Sequence, residues 1–467
     1  LNGANEVIIE GYSSIGSNAF NGATTVTSIV IPSTVTSIGY QAFQGANNLT
    51  DVNIPSSVTS IGVRAFYGTS LTSITIPESV TSIETATFQQ MYSLTSISIP
   101  ASVTSIGSGV FNWSTSLTNI TVSSSNTHYK TIDGVLFDSS GATLIQYNLG
   151  DVRSSYTVPT SVTTIVNPAF MGASHLISIT IPASVKTIGG YAFYSTTYLK
   201  EIIFEPGSQI TSIEQYMFHQ SGLSSITIPA SVTSIGKDAF FQTENLTSIY
   251  IPTSVTSIGT DAFQKSGLTE ATINIDMLGK TGFPTSLGSG QTIGGKSGVN
   301  ISGYKIFSGA SGETLTPATV ESNLKGANEV IIEGYTSIGE KAFANNDFTD
   351  TTSVISVSIG ASVTSIGSYA FQNASSLTSV TFAPGSRIAS IEEYTFSSAQ
   401  KLQYIVLPSS VTSIGNNAFS GGVTLLGSPD NDALNLQSVT TIGSSAFEGC
   451  TSLKTVLISQ DKLNIWS

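Results

Sequence analysis

Few residues of this chain have the types and spacing that chemistry needs. The stretch GQTIGGKS, Gly290 to Ser297, fits the phosphate-binding pattern G-x-x-x-x-G-K-[ST]. In a working site of that kind, backbone N–H groups of the glycine loop cradle phosphate and the lysine reaches its outer oxygens. A buried strand leads in and a helix leads out. Here the preceding GFPTSLGS is no buried strand, and the following GVNISGYKIF is too rich in β-branched residues and glycine to start a helix. The nearest acidic strand end, TINID closing on Asp276, belongs to an ordinary repeat strand. The match therefore reads as a Gly-rich turn and not a nucleotide site. Three histidines, His128, His175 and His219, are scattered, with no further metal ligand at helical spacing. SPDND, Ser428 to Asp432, sets two acids beside Asn431 but lacks the other ligands and the glycine of a Ca²⁺ loop. Serine is abundant, yet no G-x-S-x-G context exposes one as a nucleophile. The single cysteine, Cys450, excludes an internal disulfide framework and a cysteine-rich zinc site. The expectation is a protein with no catalytic residue, no cofactor and no metal, and not an enzyme.

Composition narrows the partners. Only 10% of the 467 residues are charged and the net charge is −13, which argues against nucleic acid, because phosphate binding runs on Lys and Arg. No apolar run approaches the ~20 residues that span a bilayer. Six N-x-[ST] sequons, at Asn48, Asn112, Asn119, Asn245, Asn300 and Asn373, are no more than the Asn, Ser and Thr content yields by chance.

What organises the chain is repetition. LTDVNIPSSVTSIGVRAF (Leu49 to Phe66), LTSITIPESVTSIETATF (Leu71 to Phe88) and LTSISIPASVTSIGSGVF (Leu94 to Phe111) share one frame. It returns near Phe240, Phe263, Phe396 and Phe419, and its period is about 23 residues. In L-T-S-I-T-I-P the apolar residues alternate with hydroxyls, the period-2 signature of a strand with one buried face. Ile74 and Ile76 are expected inside, Ser73 and Thr75 outside, and the proline ends the strand. V-T-S-I-G then brings two more inward residues, such as Val58 and Ile61, with Gly62 at a tight corner. The A-F pair begins a short helical or irregular return whose ring fills the space between the β faces. One such unit cannot bury its apolar side alone; stacked turns can.

The frame L-x-x-I-x-I-P-x-S-V-T-S-I-G-x-x-A-F closely resembles the BspA-like leucine-rich repeats of bacterial and protist cell surfaces. The likeness covers nearly the whole chain, and the variant Asn126 to Val162 resembles a longer insertion unit of that family. It implies a right-handed, β-rich leucine-rich-repeat solenoid with parallel sheets. The family often places Cys three residues after the phenylalanine; here only Cys450 does so, as a core ladder position, and Ala23, Ala46, Thr69 and Ala374 hold the slot elsewhere.

LNGANEVIIEGYSSIGSNAF at the start returns as LKGANEVIIEGYTSIGEKAF at Leu324 to Phe343, identical at sixteen of twenty positions. Thr316 followed by Pro317 marks a helix start before the second copy. The expected organisation is a first solenoid over 1–278, with its start truncated and a longer unit near 123–160. A Gly/Ser-rich connector over 279–315 and a second solenoid over 316–467 with a cap helix follow. The chain is expected to be a piece of a longer modular protein.

Function is then sought on the outward face of the main sheet. Most of its exposed positions are Ser or Thr, which suits a solvated sheet. The exceptions, Glu201, Ile203, Tyr250, Glu270 and Tyr404 with Val406, are candidate partner-binding residues, since exposed aromatics beside acids on a rigid surface are what binding patches use. The resemblance implies a non-enzymatic adhesion or ligand-binding scaffold, extracellular or on the cell surface, with a protein or glycan partner. The alternatives are a structural fibre or surface-layer component built by end-to-end self-association, and ice or mineral binding by the Ser/Thr rows.

Overall fold

A computed structural model describes residues 4–344 and 354–459. Short strands recur at the period of the sequence, and among the described residues one α-helix, Pro317–Asn323, interrupts them. In each turn the alternation of apolar and hydroxyl residues does what it dictates. Ser73–Thr75 buries Ile74 and leaves Ser73 and Thr75 exposed; Ile76 is buried and Pro77 follows the strand. Successive strands pair parallel and in register, Ser73 with Ser96 and Ser96 with Asn119.

The V-T-S-I residues form a second parallel sheet of two-residue strands, Ser14–Ile15, Ser37–Ile38 and Ser60–Ile61. The A-F segments form a third wall made of hydrogen-bonded turns and not of helix. The Gln41 amide donates to the Val63 carbonyl at 3.0 Å and the Phe43 amide to Ala65 at 2.8 Å. Two residues before most of the column phenylalanines the backbone is left-handed, as at Gln41, Arg64 and Tyr191 with φ of 54°, 56° and 57°. That conformation is uncommon for a residue with a Cβ, and the turn-to-turn hydrogen bonds hold it.

Gly62 has a different role from the tight corner expected of it. Its φ is not left-handed; instead a Cβ there would lie 2.7 Å from Gly39 C and Tyr40 N in the preceding turn. At Gly62 two backbones meet, although the same slot holds Glu84, Val166, Glu214 and Glu392 in other turns.

The core is a column. Phe20, Phe43, Phe66, Phe88 and Phe111 stack ring on ring at 5.2–6.0 Å, nearly parallel. Hydroxyl ladders run beside it. Thr59 donates to Thr36 O at 3.2 Å, Thr95 to Thr72 O at 3.1 Å and Ser102 to Val80 O at 2.7 Å. Much of the Ser/Thr content therefore links turns, since each such bond contributes about 0.5–1.5 kcal/mol.

One unit breaks the pattern. Strands Tyr129–Ile132, Val135–Asp138 and Thr143–Gln146 form an antiparallel meander, and the last pairs parallel with Thr164–Ile165 to resume the short-strand sheet. Its first hairpin turns at Asp133 and Gly134, both left-handed, as a two-residue Asp-Gly turn requires. Tyr147 takes the place of phenylalanine here, 5.1 Å from Phe170. Burial pushes its phenol up to about 12, so the ring is a neutral core residue.

The chain divides into two compact units: Leu1–Ala271 with Gly279–Thr285 and Ser289–Asn300, and Thr272–Leu278 with Ser286–Gly288 and Ile301–Ser467. In the second unit Thr316 caps the helix, accepting from the Thr319 amide, and Val320 is buried. Its strands Glu329–Glu333, Ser356–Ile359, Ser379–Phe382 and Tyr404–Ile405 pair in order, and Phe343, Phe371, Phe396, Phe419 and Phe447 stack at 5.0–5.4 Å.

Candidate binding surfaces

The chemical motifs resolve into structure. Gly290 to Ile293 lie in strand Gly288–Ile293, Gly294 and Gly295 form the turn, and Lys296 opens strand Lys296–Ser308, which pairs back on the first. The Lys296 ammonium donates to the Ser266 carbonyl at 2.7 Å. A hairpin with an occupied lysine is not a strand–loop–helix phosphate cradle. Asp276 sits in a 3₁₀ turn, Ile275–Met277, just past its strand, and pairs with Lys305 at 2.8 Å. In SPDND the Ser428 hydroxyl accepts from the Asp430 amide and Asn431 Oδ1 from the Ala433 amide, so those groups close a turn. Cys450 donates from Sγ to the Phe419 carbonyl at 3.2 Å, and burial pushes its thiol up.

On the main sheet of the first unit, Glu201 is exposed and stands in register with Ser178 on one side and Ser225 on the other. Ile203, on the same strand Glu201–Phe204, is 42% exposed opposite Thr180. Ile177 and Lys200 flank them, both exposed. Tyr250 is 46% exposed at the end of Ser248–Tyr250, next to the strand Glu270–Asn274 that carries exposed Glu270. Glu201 and Ile203 lie in one four-stranded sheet, and Tyr250 and Glu270 lie in the next sheet along the unit. These four residues share one face of one unit.

Tyr404 does not join them. It lies in the second unit, between Ser379 and a bridge to Gly427, and is half-buried where exposure was expected; its neighbour Val406 is the exposed residue. Just before the strands, Thr27, Thr50, Thr95 and Thr118 each donate to a carbonyl of the preceding turn, so these hydroxyls are spent on the fold.

The structure adds a surface that the sheet-centred reading passed over. On the turn wall of the first unit, Tyr194, His219 and Phe241 stack at 4.7 Å, and Tyr191 stacks on Tyr216 beside them at 4.7 Å. All five are half-buried. The edge of Tyr194 meets Trp113, and the Lys265 ammonium lies 5.2 Å over Phe241. Burial lowers the His219 pKa, with Asp238 opposing, and its Nδ1 is buried without a partner. The signal was present in the sequence: the residue after phenylalanine is aromatic in three consecutive turns, at Tyr194, His219 and Phe241.

Among the described residues no helix is long and apolar enough to cross a membrane. No curated protein sequence matches this one. Among solved structures it is similar to a leucine rich cell surface protein from Faecalibacterium prausnitzii, at 31% identity over 57% of this chain and 87% of that one, with a TM-score of 0.45. A leucine-rich repeat protein from Eubacterium ventriosum aligns at 23% identity over 89% of this chain and 82% of that one, TM-score 0.38. The pneumococcal vaccine antigen PcpA aligns at 15% over 98% and 89%, TM-score 0.45. The profile of the BspA type leucine rich repeat region matches in six copies over residues 13–141, 153–286 and 336–466. With its stacked parallel turns and phenylalanine column, the chain belongs to the BspA-type leucine-rich repeat family.

Proposed function

We propose that this chain is a non-enzymatic scaffold, displayed on a cell surface or outside the cell, that holds a protein or glycan on the exposed face of its first-unit sheet. The observation that supports it is local. On a face where Ser and Thr are common, Ile203 and Tyr250 expose 42% and 46% of their surface, with Glu201 and Glu270 beside them. These side chains stand on paired strands of a packed solenoid, so a partner meets them at a reduced ordering cost. Family membership supports the location.

Surface plasmon resonance of the intact chain over immobilised matrix proteins and glycans tests this reading, with the Glu201→Ala/Tyr250→Ala variant run alongside. A partner whose affinity falls about tenfold or more in the variant supports it. A panel with no binder, or a binder indifferent to both substitutions, overturns it.

A further inference from the structure

The turn wall holds more than stacked rings. Beside the Tyr194–His219–Phe241 column, three consecutive turns leave an open cleft of about 390 Å³, within the range of small-ligand sites. Its lining is polar. Ser195 Oγ donates to Gln220 Oε1 at 3.0 Å, and Gln220 Nε2 donates to Gln242 Oε1 at 2.9 Å. This chain of bonds runs from turn to turn and ends on the Gln242 amide N–H groups, which have no partner among the described residues. Each bond in such a chain polarises the next, so the terminal N–H groups are stronger donors than those of an isolated amide.

Acceptors stand next to them. Glu244 is exposed and its carboxylate is in no ion pair among the described residues. Asn245 donates from Nδ2 to Gly222 O at 3.4 Å, which leaves its side-chain carbonyl to accept. Ser221, 3% exposed, also borders the cleft, and its hydroxyl is buried with no partner, as is His219 Nδ1 in the adjoining column. Unpaired buried polar atoms are rare in native folds, and the Ser221 hydroxyl is one that lies in the cleft lining.

The chemistry of the lining selects the ligand class. Phosphate and nucleic acid need cations, and the cleft has none. A protein hot spot needs an apolar pocket for an anchor side chain, and the lining offers amides, hydroxyls and one carboxylate. A sugar hydroxyl both donates and accepts, so neighbouring hydroxyls on one ring match an amide N–H set beside a carboxylate. Successive turns repeat at about 4.8 Å, close to the length of one pyranose unit. We propose that this cleft binds a neutral oligosaccharide laid along the solenoid axis, with successive sugars meeting the turns of Ser195, Gln220 and Gln242, the last of which also carries Glu244 and Asn245. The site is on the turn wall and is independent of the sheet-face reading.

The test uses the intact chain with neutral tetrasaccharides of β-glucan, α-glucan, galactan and N-acetyllactosamine type. Binding is read by saturation-transfer NMR and titration calorimetry. Gln242→Ala and Glu244→Gln are each expected to weaken the bound tetrasaccharide about tenfold, the loss of one charge-assisted or polarised hydrogen bond. The Glu201→Ala/Tyr250→Ala variant is expected to bind it as the parent chain does. Both cleft substitutions fall on side chains outside the core, and unchanged melting midpoints confirm that the variants are folded. The proposal is overturned if no tetrasaccharide binds or if binding survives both cleft substitutions. It is equally overturned if binding is lost only in the sheet-face variant, or if the cleft variants lose a peptide ligand in place of a sugar.

Discussion

Replacing Phe66 by alanine removes one ring from the middle of a column. Phe66 is fully buried, stacked at 5.2 Å on Phe43 and 6.0 Å on Phe88. Burying a side chain of this size is worth about 1.5–3 kcal/mol. Each aromatic pair adds about 0.5–1.5 kcal/mol, and here two are lost. The sum brackets the ~3–5 kcal/mol measured for buried Phe→Ala changes in general. Because each turn contacts only its neighbours, the damage is expected to be local. Hydrogen exchange read by mass spectrometry is expected to show lost protection in the turns holding Phe43 and Phe88, with little change near Phe240 and Phe263. A denaturant melt supplies the magnitude. The reasoning is refuted by a neutral melt, or by deprotection spread evenly along the first unit.

Further predictions follow from single contacts. Gly62→Ala is expected to cost about 1–3 kcal/mol in a thermal melt despite its ordinary φ, because the new methyl meets backbone at 2.7 Å and no side chain can swing away. A neutral Gly62→Ala would mean that the turns can separate freely. His219 gives a pH dependence. Its folded pKa lies below 6.5, so as pH falls through 6.5 the unfolded chain takes up the proton first and the folded state loses stability; above 6.5 that contribution is fully present. His219→Phe is therefore expected to lose less melting temperature than the parent between about pH 7 and pH 5, and an equal loss would contradict the buried neutral imidazole.

The fold was legible because its rules are local and repeated. Ile74 and Ser73 declare their faces by alternation, Pro77 ends its strand, and most of the column phenylalanines sit one period from the next. Thr316 and Pro317 announce a helix by capping chemistry. Other features depend on distance along the axis, which one turn does not show. Gly62 looked like a corner because a sequence does not reveal that Gly39 and Tyr40 lie against it. The left-handed residue two before most column phenylalanines has no fixed type, as Gln41, Arg64 and Tyr191 show, because hydrogen bonds to the next turn impose it. The Asp133-Gly134 turn is legible as a dipeptide, but the meander it closes is set by pairing with strands outside it. The turn-wall aromatics were missed for a similar reason. Tyr194, His219 and Phe241 become a column only when three turns are laid on one another, and Gln220 becomes a bridge only between Ser195 and Gln242.

The central claim is that a rigid face presents Ile203 and Tyr250 to a partner. Hydroxyl-radical footprinting of the intact chain, alone and with the tightest binder from the matrix and glycan panel, tests it most directly. The account predicts that oxidation of Ile203 and Tyr250 falls on binding, while that of Val406 in the second unit is unchanged. Unchanged oxidation at Ile203 and Tyr250, with protection appearing elsewhere on the chain, would contradict it.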